Sequence, residues 1–487
     1  MMEGAKKTLT AILLGAGNRG MTVYGEYALK YPERLKFVAV AEPIKVRREK
    51  FAQLHEIPPN KCFISWVDLL QEEKLAETAF ICTQDQMHIK PTIKALEIGY
   101  NVLLEKPMAH TLEGCIKIVK KVEETGRILG ISHVLRYTNF FSTIKDAIQK
   151  GLLGNLVNIS HRENVSYYHM AHSFVRGNWR NVRTSSPMIL AKCCHDLDLL
   201  FWMVGALPKK ISSFGSLIHF NSVNAPKNAP KYCVEGCPIE STCLYYAPRI
   251  YFDIIPIIQI LEKSDKKGFR ILANLRKNHI QLLTGLSKLI KLLQRLRYWK
   301  DWPVEPLYSG LPEESTEDYS DETKMKILKT SPYGRCVYRC DNDVVDHQVV
   351  NIEFENKVTV NLTMHGFSER EGRTLRIDGT KATLIGQFSD AGQKITLFDH
   401  FSGTEKVIFS QQLSLDYSGH GGGDFSLIDA FLETLVGKSK SQPLTNANET
   451  LESHLMAFAA DDSRLKGKVI EMQEFRIKAQ KLNITNF

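Results

Sequence analysis

From Thr8 to about Val134, short apolar runs alternate with amphipathic segments, the pattern of a parallel sheet with covering helices. The runs predict strands over Thr8–Leu14, Lys36–Ala41, Thr78–Cys82, Val102–Leu104 and Ile128–Ser132. Between them, Thr111 to Gly126 predicts a helix opened by a threonine cap and closed by glycine. The pattern then changes. A helix is expected from Leu135 to Lys150, a strand over Leu156–Asn164, and a helix over Met188–Val204 whose Leu190, Cys194, Leu197 and Phe201 recur at helical spacing. Further on, strands are expected over Val344–Glu355, Lys357–Met364, Thr374–Asp378, Ala382–Phe388, Ile395–Asp399 and Lys406–Ser410. Turns such as Glu355-Asn356 and Asp378-Gly379 make them an antiparallel sheet. Helices over Phe425–Leu435 and Ala447–Leu465 close the chain.

Composition narrows this picture only a little. A length of 487 residues predicts two to three domains, and 43% hydrophobic with 24% charged residues is ordinary for a globular protein. The net charge of +9 is concentrated in Lys263–Lys300, a solvated helical face rather than a nucleic-acid surface. The longest apolar stretch, Ile250–Leu261, contains Asp253 and Pro256 and is too short for a bilayer, so no membrane partner is expected. The first strand begins close to Met1 without room for a leader, so the expected location is cytoplasmic, and the ten cysteines are expected as reduced thiols.

The first strand ends in GAGNRG, with Gly15, Gly17 and Gly20 in a G-x-G-x-x-G turn and Asn18 and Arg19 between them. Such a turn lets backbone N–H groups at a helix start hold a pyrophosphate. The second strand ends in Glu42, 22 residues beyond Gly20, where an acid accepts both ribose hydroxyls of NAD and repels a 2′-phosphate. Arg47 and Arg48 follow closely and keep NADP open. Ligands of an open α/β sheet sit off the carboxyl ends of its strands, which adds Thr83, Asp85, His88, Glu105 and Lys106 as cofactor-binding candidates.

Beyond Leu156–Asn164 lies a polar loop with Tyr167, Tyr168, His169, His172, Ser173, Arg176, Trp179 and Arg180. Aromatic faces beside hydrogen-bonding groups suit sugar rings, and His169, His172, Arg176, Trp179 and Arg180 are its substrate-binding candidates; an irregular loop capping the sheet is the other reading. Lys192, His195 and Asp196 fall on neighbouring parts of one helical face. An insertion at about 225–346 opens with Cys233, Cys237 and Cys243 and closes with Cys336 and Cys340, around a basic region, Lys263–Trp299, and an acidic linker, Pro303–Glu322. Four of these thiols would suffice for zinc or an iron–sulfur cluster, against reduced core cysteines or a redox-formed bridge. The turn HGGGD brings His420 and Asp424 toward substrate, or starts a helix with an aspartate cap.

GAGNRG, the T-x-x-x-x-H segment from Thr83 to His88, Glu105-Lys106-Pro107 and the later HDLDLL from His195 resemble, in that order, the Gfo/Idh/MocA family of NAD(P)-dependent oxidoreductases. The resemblance implies an α/β fold: a Rossmann doubly wound parallel sheet over 1–134, then an α/β domain over 135–487 with an open, mostly antiparallel sheet that often supports homo-oligomers. It assigns the chemistry to a lysine and a histidine, Lys106 and His195. Many relatives carry an aspartate four residues before that histidine; here the position is Ala191, and Lys192 is expected to take over part of its role. Removing hydride from a secondary alcohol needs a base for the hydroxyl proton, and His195 or Lys106 suits it. The expected function is an NAD-dependent oxidoreductase of a sugar, sugar derivative or cyclitol hydroxyl. One alternative is an NAD-dependent glycoside hydrolase that oxidises, eliminates, hydrates and re-reduces. Another is a nucleotide-sensing regulator without chemistry.

Overall fold

The structure, a computed structural model, describes residues 8–252, 302–308, 320–389, 392–412, 421–437 and 445–482. Strands β1 (Leu9–Leu14), β2 (Leu35–Ala41), β3 (Cys62–Phe63), β4 (Thr78–Ile81), β5 (Asn101–Leu104) and β6 (Leu129–Ile131) form one sheet in the order β3-β2-β1-β4-β5-β6. Every pairing in it is parallel. Both faces are covered, so β1 and β4 read as nearly continuous apolar runs. The strand order reverses between β1 and β4, which opens a crevice at their carboxyl ends. Two-residue β3 is too short to show a period in the sequence.

The second sheet has nine strands: β7 (Leu156–Ser166), β8 (Pro208–Ser216), β9 (His347–Phe354), β10 (Thr359–Ser368), β11 (Gly372–Gly379), β12 (Ala382–Ser389), β13 (Gly392–Asp399), β14 (Glu405–Gln411) and β15 (Ile470–Glu471). Their order is β14-β13-β12-β11-β7-β10-β9-β8-β15, with β7 and β10 parallel and the other pairings antiparallel. Residues alternate between buried and more accessible along β9 and β11, as expected of a sheet covered on one face. β8 was not expected: Lys209, Lys210 and Gly215 hide its alternation. The insertion leaves after β8 and returns at β9. Its basic region Lys263–Trp299, and residues 309–319 of the acidic linker, lie outside the described residues.

The end of the chain returns to the first sheet. In the helix Gly423–Leu435, Phe431 meets Phe80 edge-on at 6.2 Å and Phe425 meets Tyr27 at 5.3 Å. Ile131 N–H donates to Thr445 O at 2.9 Å. The helix Ala447–Lys466 packs on both Leu112–Thr125 and Cys194–Val204. Among the described residues no helix is long and apolar enough to cross a membrane.

The expected helix Met188–Val204 is two helices, Met188–Ala191 and Cys194–Val204, broken at Lys192 and Cys193. The expected polar loop is also different. Tyr167–His169 and Met170–Arg176 are helical, and every residue from Met170 to Arg176 is buried.

Candidate active site

The crevice between β1 and β4 is shaped by backbone. Gly15 has φ +97°, and a Cβ there would lie 2.7 Å from Cys82 O. Gly20 sits against the Gly15 carbonyl, where a Cβ would lie 2.2 Å away, so the chain turns tightly into the helical segment Gly20–Lys30. Glu42 is buried at the end of β2, and its carboxylate accepts the N–H groups of Ala16 (2.8 Å) and Ile44 (3.0 Å). Arg48 donates to the carbonyl of Glu42 at 2.5 Å. On the facing side Thr83 Oγ1 is buried with no hydrogen-bond partner among the described residues. A tight glycine turn, a carboxylate at the end of β2 and an orphaned hydroxyl opposite fit a dinucleotide.

A second set of contacts ties this loop to the segment after β5. Arg19 Nε donates to Glu105 Oε1 at 2.6 Å, Tyr24 OH donates to the same oxygen at 2.7 Å, and Tyr24 OH lies 2.8 Å from Ser132 Oγ. Arg19 Nη2 reaches Asp424 at 2.7 Å. Arg19 and these hydrogen bonds hold the Glu105 carboxyl below its ordinary range despite burial. Asp424 therefore faces the glycine loop rather than substrate, and His420 lies outside the described residues. His88 has one ring nitrogen 2.7 Å from Pro107 O and the other 3.0 Å from Thr83 O, joining the two strand ends. The Lys106–Pro107 peptide is cis.

Lys106 meets the end of the short helix Met188–Ala191, which precedes the helix of His195. Lys106 Nζ donates to Ala191 O at 3.4 Å. His195, 5% exposed, places Nδ1 3.4 Å from Nδ1 of His133, the second residue beyond β6. Burial, with Arg136 and Lys106 nearby, holds His133 well below its ordinary pKa.

The helix break at Lys192 gives the three polar residues of the expected stripe different direct neighbours. Lys192 Nζ lies between Glu163 (3.3 Å) and Glu371 (3.4 Å), and these carboxylates hold it firmly as an ammonium ion. It is thus ill-suited as a base. Asp196 is buried and accepts from Arg373 Nε at 2.7 Å, with His161 Nε2 also at 2.7 Å. Arg373 also reaches Glu163 at 2.9 Å. Arg373 and His161 push the Asp196 carboxyl well down, whereas burial pushes Glu163 up to about 7 despite its two cations. Glu371 accepts from Ser166 N–H (2.9 Å) and Ser166 Oγ (2.6 Å), and lies 2.9 Å from His169 Nδ1.

The other expected substrate residues divide. Trp179 Nε1–H donates to Asp85 Oδ2 at 3.1 Å, with Ser186 Oγ at 3.3 Å, so this part of the second domain is tied to the segment after β4. Arg180 pairs with Asp341 of the insertion at 3.0 Å. His172 is buried in the insertion's aromatic packing, stacked on Tyr333 at 5.1 Å with Nδ1 3.0 Å from Tyr251 OH. Arg176 is fully buried and donates to Arg335 O (2.8 Å) and Tyr245 O (2.7 Å).

The cysteines require a correction. Cys233, Cys237, Cys243, Cys336 and Cys340 are all free thiols, and among the described residues no three His, Cys, Asp or Glu side chains are placed to hold a metal ion. Arg176 Nη2 instead lies 3.5 Å from Cys233 Sγ. A buried guanidinium occupies the position facing that thiol and repels a cation. Among the described residues no zinc or iron–sulfur centre is shown.

Sequence reading missed Tyr24, Ser132, His133, Glu163, Glu371 and Arg373. None falls in a local motif, because they reach the site from separate parts of the chain. The one available signal was a polar residue at an inward position of a strand, as with Glu163 in β7 and Arg373 in β11.

Residues 9–133 match the family model described as an oxidoreductase family, NAD-binding Rossmann fold, and residues 145–244 match that family's C-terminal alpha/beta domain. The oxidoreductase-named protein YteT of Bacillus subtilis is 20% identical over 80% of this chain and 79% of its own length. A 2,7-anhydro-N-acetylneuraminate hydratase of Escherichia coli is 25% identical over 31% of this chain. The chain spans only 40% of that relative's length. An NAD-linked scyllo-inositol 2-dehydrogenase of B. subtilis is 25% identical over 38% of this chain and 51% of its own length. Among solved structures, an aldose-aldose oxidoreductase from Caulobacter crescentus superposes with a TM-score of 0.61 at 12% identity, covering 95% of this chain and 99% of that one, which is a likeness of fold.

Proposed function

This chain belongs to the Gfo/Idh/MocA family of NAD(P)-dependent oxidoreductases, and from that premise we propose that it oxidises a secondary hydroxyl of a sugar, sugar derivative or cyclitol with NAD. The observation that carries this reading is the 3.4 Å contact of Lys106, after β5, with Ala191 O, at the end of the short helix Met188–Ala191 that precedes the His195 helix. The dinucleotide supplies the hydride acceptor when bound. Gly15, Gly17, Asn18, Arg19 and Gly20 would hold its pyrophosphate, Glu42 its adenosine ribose, and Thr83, Asp85, His88 and Glu105 line the approach to its other end. His195 takes the hydroxyl proton, and the Lys106 ammonium stabilises the negative charge that develops on oxygen. Lys192 orients substrate as a hydrogen-bond donor beside Glu371 and His169. The Asp85–Trp179 contact closes one side, where an indole face suits the C–H face of a ring. The open face of the second sheet supports a homo-oligomer.

A second reading, redox-cycling glycoside cleavage, draws support from the likeness of 31% of the chain to a hydratase. Both share hydride removal, so the test reads products. With a panel of sugars, cyclitols and aryl glycosides, a dehydrogenase forms NADH in proportion to ketone, and Lys106→Ala is expected to abolish turnover while NAD binding stays measurable. Release of aglycone without net NADH, with solvent deuterium appearing beside the oxidised carbon, would establish the second reading instead.

A further inference from the structure

The base assigned above needs a partner on its inner side. When Nε2 of an imidazole takes a proton, Nδ1–H becomes the second donor of an imidazolium, and a buried donor without an acceptor is costly. The two aspartates of the same helix are engaged elsewhere. Asp196 is held by Arg373 and His161, and Asp198 is held by both Arg136 Nε (2.6 Å) and Arg136 Nη2 (2.7 Å). The imidazole of His133, with Nδ1 3.4 Å away, is the ring that faces His195.

Relying on the dehydrogenase reading for the role of His195, we infer that His133 is its positioning residue: His133 Nδ1 accepts the His195 Nδ1–H and so keeps the Nε2 lone pair of His195 for the substrate hydroxyl. The surroundings of His133 suit an acceptor that stays neutral. It is fully buried, its single ring proton sits on Nε2 when Nδ1 accepts, and the charges near it are Arg136, Lys106 and Glu105. His454, on its other side, is already saturated. Its Nδ1–H donates to Thr450 O at 2.9 Å, its Nε2 accepts Met108 N–H at 2.9 Å, and its ring meets that of His133 edge-to-face with centroids 5.7 Å apart. Burial and two cations disfavour a charge on His133, so the substrate proton stops at His195. In the step itself the alcohol O–H bond breaks, its proton goes to His195 Nε2, the hydride leaves carbon for the bound nicotinamide, and the carbonyl forms. His133 exchanges no proton.

Three substitutions separate positioning from packing. In His133→Asn the amide oxygen falls near the place of Nδ1; in His133→Gln it falls near Nε2; His133→Phe keeps ring volume without a polar atom. The first readout needs no turnover: the protonated nitrogen of His195, read by NMR of 15N-histidine-labelled full-length protein with NAD bound, and assigned by loss of its signal in His195→Asn. We expect Nδ1–H in the wild type and in His133→Asn, and a shift toward Nε2–H in His133→Gln and His133→Phe. The second is kinetic, with the sugar or cyclitol that the wild type oxidises. Acid–base catalysis contributes about 10²–10⁴-fold, so losing part of it through the wrong tautomer should lower kcat by about 10- to 100-fold in the Gln and Phe variants, with KM changed by less than about 2-fold and substantial recovery in the Asn variant. An unchanged His195 tautomer across the series, or equal kcat losses in the Asn and Gln variants, overturns the inference. The expected tautomers without any hydride transfer by the wild type would uphold the pairing and overturn the dehydrogenase reading; turnover with unaltered tautomers would do the reverse.

Discussion

Glu42 serves the protein before any ligand arrives, because its carboxylate holds the N–H groups of Ala16 and Ile44 and so shapes the turn it faces. Glu42→Ala is expected to weaken NAD by about 1.5–3 kcal/mol, the scale of a charge-assisted hydrogen bond, and to weaken NADP less. Calorimetric titration of both dinucleotides checks this, and a wild-type preference for NADP would overturn the assignment. Asp196 gives a pH-dependent case. Arg373 and His161 depress its folded pKa below the unfolded value, so its contribution is present above the ordinary carboxylate range and is lost as pH falls through the folded pKa. Asp196→Asn should therefore be less stable than wild type at neutral pH, and the gap in urea midpoint should shrink as pH falls below about 4. Gly15, Lys106 and His195 are legible as candidates because each falls in a contiguous motif. Glu371 and His133 are not, because a lone polar residue becomes informative only through what it faces.

At the scale of elements, the glycine turn and the broken helix decide what reaches the crevice. Gly15 has φ +97°, and a Cβ there would meet Cys82 O at 2.7 Å. Gly15→Ala is expected to cost more than about 1 kcal/mol, read as a lowered thermal midpoint, and to abolish NAD binding because the turn must open. The helical period correctly placed Lys192 near Asp196: both join the network of Glu163 and Arg373. It failed for His195, because the break at Lys192 and Cys193 turns the following helix so that His195 points toward His133. The segment Tyr167–Arg180 reads as a polar loop but is largely helical, with Met170–Arg176 buried, for a related reason. His172 and Arg176 are buried against residues of the insertion, far along the chain, which composition alone does not reveal.

For the whole molecule, the return of the chain end onto the first sheet matters most. Phe431 is 1% exposed and packs against Phe80, so Phe431→Ala should destabilise by about 3–5 kcal/mol. The measurement is a shared loss of thermal stability in both sheets; a change confined to the second domain would show that the helix Gly423–Leu435 is dispensable to the first. Arg19 connects the same helix to the chemistry, since it bridges Asp424 and Glu105.

By itself the sequence determined the parallel first sheet, the later run of antiparallel strands and the dinucleotide turn, and it singled out Lys106 and His195 as candidates. These depend on local spacing: periods of two and of 3.6 residues, a glycine where φ is positive, a motif of fixed length. Tertiary structure decided what the remaining charged side chains do. It set Lys192 between two carboxylates, buried Arg176 beside Cys233 where a metal had been expected, and brought His133 to His195. Those outcomes rest on burial and on partners tens to hundreds of residues away, and in a low-dielectric interior the partner fixes whether a group is held as an ion, a hydrogen-bond acceptor or a base.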